Sequence, residues 1–83
     1  MKYYLIRDKQ GNIVIQNFDF DVDSPMCTKT TISKLKKHFR LIHYLESDLK
    51  LAECKKESYS NYLNEYLEVV EVEVELDVKI LNN

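Results

Sequence analysis

The chain is short of the residues that interrupt regular structure. Gly11 and Pro25 are its only glycine and proline in 83 residues, so long regular elements are expected after Pro25. No apolar run approaches the ~18 residues needed to span a bilayer. The opening "MKYYLIRDKQ" has no apolar core, so no signal peptide is expected and a cytoplasmic location is. In a reducing cytosol Cys27 and Cys54 are expected as free thiols. With one glycine there is no phosphate cradle, and no Ser-His-Asp set or nucleophile elbow is found, so neither an enzyme nor a cofactor is expected.

Three small motifs fail on their chemistry. Cys27, His38, His43 and Cys54 are spaced symmetrically but lack the short chelating pairs of a zinc site. On a helix His38 and His43 would point ~140° apart, and no metal site is expected. "DFDVD" (Asp19–Asp23) begins like a calcium loop, but Ser24 stands where Gly is needed and Thr30 where Glu is needed. "DVK" (Asp77–Lys79) matches only the three-residue end of a nuclease motif.

What is present is a periodic pattern. "KYYLIRD" (Lys2–Asp8) reads as a strand, and Gly11 suits the φ > 0 position of a hairpin loop. "IVIQNFDFDV" (Ile13–Val22) reads as the return strand, with a bulge near Gln16–Asn17 bringing its apolar residues to one face. Thr30 or Thr31 caps a helix running from Thr31 to about Glu46, and Ile32, Leu35, Phe39, Ile42, Leu45, Leu49 and Ala52 recur at spacings of three and four as one apolar helix face. A break is expected near Ser47–Asp48 or at "SYSN" (Ser58–Asn61). Tyr59, Tyr62, Leu63 and Tyr66 continue helical spacing as half-buried core. Val70 to Ile80 alternates strictly and reads as one eleven-residue strand.

The expected fold is a single α+β domain over residues 1–83, in the order ββα(α)β. A three-stranded antiparallel sheet carries one long or two shorter helices on one face and leaves the other face wet. Like charges directly opposed destabilise a sheet, so "KYYLIRD" is expected between the two acidic strands, giving order 2-1-3. The last strand outruns its seven-residue neighbour and is expected to overhang, to bend or to pair with another chain.

Charge is segregated along the chain. Eight of twelve Lys and Arg lie between Lys29 and Lys56, and nine of fourteen acids lie in Asp19–Asp23 and Glu65–Asp77. No Lys or Arg interrupts Leu67–Leu76, so the row Glu71, Glu73, Glu75 and Asp77 has no compensation of its own. With Asp19, Asp21 and Asp23 it forms a candidate surface for a basic partner. The plainer reading is a solvated face with charges that discourage edge aggregation. Lys34, Lys36, Lys37 and Arg40, flanked by Lys29 and His38, form the alternative site, a phosphate-gripping helix face.

"YYLIRDKQGNIVI", a lysine-rich helix and a terminal "EVVEVEVEL" together resemble small accessory proteins of bacteriophages that infect Gram-positive hosts. Inhibitors of host defence, anti-CRISPR proteins among them, belong to that group. The resemblance implies a small, acidic, non-catalytic protein that occupies a nucleic-acid-binding groove of a host protein, such as a CRISPR effector. It transfers no individual residue. Two other partners are weighed: nucleic acid on the basic helix, and a second copy paired through the last strand to make a homodimer or assembly.

Overall fold

The computed structural model describes residues 2–17, 23–37, 44–74 and 78–80. β1 (Lys2–Asp8) turns through Gly11 into β2 (Ile13–Gln16). Gly11 has φ 88°, the left-handed value expected of it. Asp8 organises the turn: Gln10 N and Asn12 N donate to its Oδ1 at 3.0 and 2.9 Å. β3 (Cys27–Thr30) pairs with β2, and Thr31 then caps α1 (Ile32–Lys36), its Oγ1 accepting from Lys34 N at 3.2 Å. Asp48 caps α2 (Leu49–Leu63), which ends at Asn64 in the left-handed conformation. β4 (Leu67–Val74) and β5 (Val78–Ile80) complete the order.

The protein is α+β with an antiparallel sheet, and β1 separates β2 from β4 as the charge argument expects. The sheet is larger than expected. Four strands run β3-β2-β1-β4, and short β5 extends β4's far edge. The expected eleven-residue strand is therefore not continuous. It ends at Val74, and Val78–Ile80 returns antiparallel along it with Val74 opposite Val78. Of the three outcomes foreseen for an overlong strand, the chain takes the bend.

Helix on one face only is also corrected. Leu5, Ile13, Val70 and Val72 pack with Leu35 and Leu45, and with Ile32 and Tyr44 beside them. Ile6, Val14, Cys27 and Leu67 pack with Tyr59, and with Leu63 and Val69 beside them. Neighbours in sequence point to opposite faces of a strand, so these clusters lie on opposite faces of the sheet. α1 covers one face and α2 the other. Each fully buried Leu, Ile or Val contributes ~1.5–3 kcal/mol, and here both sides of the same strands gain it.

Two boundaries move. Helix is described only over Ile32–Lys36 of the expected Thr31–Glu46. Glu46 instead makes an antiparallel bridge to Tyr4, donating and accepting backbone bonds of 3.1 and 2.7 Å, while Leu45 enters the core from extended chain. The break at Ser47–Asp48 is real, whereas "SYSN" lies inside α2. Ala52 and Tyr59 are core, but Leu49, expected on the apolar face, is exposed, and Tyr62 and Tyr66 are exposed, not half-buried. The return strand ends at Gln16, not Val22, with Asn17 N donating to Met26 O at 3.1 Å. Phe39 and Ile42, and the apolar residues Phe18, Phe20 and Val22, lie outside the described residues.

Candidate interaction site at one end of the sheet

Strand direction decides where the acidic stretches go. β1 runs from Lys2 to Asp8, and its Lys2 end lies beside Glu73 of β4. Because β2 is antiparallel, its Gln16 is at that same end, opposite Cys27 of β3. Residues 17–26 therefore join β2 to β3 there. Val74 and Val78 are also at that end, so residues 75–77 join β4 to β5 there. At this end Glu46 bridges Tyr4 on the β2 side of β1, so four strand spacings of ~4.8 Å, roughly 19 Å, separate the centres of these two connections. Asp23 and the segment that follows Glu73 thus root at one end of the sheet, while Glu65 and Glu68 lie towards the other.

The residues themselves are placed unequally. Asp23 is exposed in the turn before β3. Glu71 and Glu73 are half-buried on β4, on the face shared with Leu67 and Val69, which is the α2 side. They do not form an open face across from the helix, as the alternation suggested. Asp19, Asp21, Glu75 and Asp77 lie outside the described residues. Lys2 Nζ is 3.2 Å from Glu71 Oε1, and Glu73 stands in register between Lys2 and Lys79. The compensation missing from β4 itself comes from its neighbours. Arg7 Nε pairs with Glu68 Oε1 on the α1 side, and Lys55 Nζ lies 3.3 Å from Glu46 Oε2.

The basic alternative is smaller than expected. Lys34, Lys36 and Lys37 are exposed on or just after a five-residue helix, and Arg40 and His38 lie outside the described residues. Lys29 belongs to a different device. Its ammonium lies 3.0 Å from Asp8 Oδ2 and 2.6 Å from Glu65 Oε1, tying β3 to the hairpin turn and to the chain entering β4. Glu65 first and then Asp8 hold the Lys29 pKa above its ordinary value. Asp8 is only 2% exposed. Burial pushes its carboxyl up, but hydrogen bonds from Lys29 and Asn12 outweigh that and bring it to about 2. Sequence reasoning missed this residue. The signal was available, since Asp at the head of "DKQGN" is a turn-forming aspartate.

Cys27 is buried and its thiol is pushed up by burial, so it is a packing residue, while Cys54 is exposed on α2. Burial also raises Tyr59, with Cys27 adding to it. Among the described residues no cluster of His, Cys, Asp and Glu has the makings of a metal site, and His38 and His43 lie outside them. No helix among the described residues is long and apolar enough to cross a membrane. No protein family, curated protein or solved structure matches the chain.

Proposed function

We propose that the protein is a non-catalytic binding protein whose acidic sheet end occupies a basic, nucleic-acid-binding surface of a host protein. In its sharpest form it is a phage-encoded inhibitor of host defence, anti-CRISPR-like, acting in the host cytoplasm. The contacts are assigned to Asp19, Asp21, Asp23, Glu71, Glu73, Glu75 and Asp77. What supports this reading is topology. The connections that carry Asp19–Asp23 and Glu75–Asp77 leave the sheet at one end, roughly 19 Å apart by strand spacing. That spacing lets two acidic loops contact one groove together, and complementary charge accelerates their encounter with a basic partner.

The test is competition. RNA-guided nucleases from Gram-positive hosts are loaded with fluorescent nucleic acid and titrated with the protein. Displacement is expected, weakening steeply between about 50 and 300 mM salt as charge is screened. Joint replacement of Glu71, Glu73 and Glu75 by Gln is expected to weaken it and to flatten the salt dependence. Displacement that ignores both salt and these substitutions would refute the acidic reading. A pull-down from phage-susceptible lysate, followed by the same salt series, extends the test to other basic host proteins.

A further inference from the structure

α2 is covered on one side only. Ala52 and Tyr59 are buried, whereas Leu51, Cys54, Ser58 and Tyr62 are exposed at spacings of three and four, which aligns them on one flank of the helix. Leu51 is 45% and Tyr62 50% exposed. Leu51, Cys54 and Ser58 also border an open groove of about 520 Å³ whose opposite wall carries Pro25 and Met26, the latter 48% exposed. Large apolar side chains left exposed on one flank of a helix and beside a groove mark a candidate association site.

Charge selects the occupant and its orientation. At 3.6 residues per turn, exposed Lys50 and Glu57 flank the stripe on the same side, and Cys54 sits next to their midpoint. A second copy laid parallel would carry its Lys50 and Glu57 on the opposite side of the interface, leaving both charges without each other. Laid antiparallel about a two-fold axis near Cys54, it sets each Lys50 against Glu57 of the other copy, twice. Leu51 then meets the small Ser58, which permits close approach of the helices. We infer that this flank of α2 is the interface of a homodimer, with α2 packed antiparallel against α2 of a second copy and Met26 at its margin. It uses none of the seven acidic residues assigned to the partner contact, and its tests read dimer mass and not displacement, so failure of one proposal is distinguishable from failure of the other.

Light scattering of the full chain is expected to give a dimer mass. A short bismaleimide, which adds one thiol at each end, is expected to link two copies through Cys54 and to lose that product in Cys54→Ser. Lys50→Glu is expected to raise the dimer Kd at least about tenfold, because two attractive pairs become repulsive. Lys50 lies in the first turn of α2, where a carboxylate suits the helix dipole, so unfolding is not the cause of that loss. Adding Glu57→Lys to Lys50→Glu is expected to restore the dimer. A monomer for the unmodified chain, a dimer indifferent to Lys50→Glu, or no rescue by the double reversal would each overturn the inference.

Discussion

Asp8 is the residue with most depending on it. It is the buried acceptor for the β1–β2 turn and for Lys29, which reaches on to Glu65. Asp8→Ala is expected to cost about 3 kcal/mol, since Lys29 and two backbone amides lose their acceptor together, measurable by urea unfolding. Its pH signature has a definite sign. The folded carboxyl titrates near 2, below its ordinary 3.8, so its stabilisation is complete above about pH 4 and fades as pH falls towards 2. Acid unfolding of Asp8→Asn should lack that component. Gly11 is a second residue with a single job. A Cβ there would meet no atom within 4 Å, yet φ is 88°. Gly11→Ala is therefore expected to cost about 1 kcal/mol through backbone strain alone.

At the scale of elements, caps were readable and long-range pairing was not. Thr31 and the Ser47–Asp48 break follow from local chemistry, because an N-cap oxygen satisfies amides two and three residues on. Asp48→Ala should lower stability by about 1 kcal/mol and fray the start of α2, visible as faster amide exchange at Lys50 and Leu51. Leu45 shows why the first helix was drawn too long. Its spacing from Leu35 and Ile42 suits a helix, but Tyr4 offers Glu46 a backbone partner, and tertiary pairing overrides a weak local preference. β3 was missed because "CTKT" has no apolar alternation; only Cys27 of its four residues is buried. β5 was missed because the alternation runs on unbroken through the reversal, and a period of two does not record which way a strand runs.

At the scale of the molecule, the sheet is buried from both sides. The sequence carried that signal in "LI" at Leu5–Ile6 and "IVI" at Ile13–Ile15, runs of adjacent apolar residues that a half-wet sheet has no use for. The consequence is measurable. Leu5→Ala and Ile6→Ala each remove a buried side chain from opposite cores, and each should cost about 2–4 kcal/mol. A sheet with one wet face would tolerate one of the two. With the sheet covered on both sides, Glu71 and Glu73 are half-buried on the α2 side and not on an open face. The direction of the strands, which no local pattern specifies, sets both the β2–β3 and the β4–β5 connections at one end.

The pairing of β1 with β4 also fixes an order of events in synthesis. β1 is made before the other strands of the sheet, lies at its centre, and pairs along its whole length with β4, Lys2 opposite Glu73. During translation the N-terminal hairpin must wait with one edge bare until some sixty further residues have left the ribosome. Closing a loop of that size costs roughly 3–4 kcal/mol of chain entropy before any contact repays it, and such non-local pairing slows folding. A nascent chain halted before β4 would hold its central strand without its main neighbour. The middle of the sheet thus cannot be completed until β4 has been made.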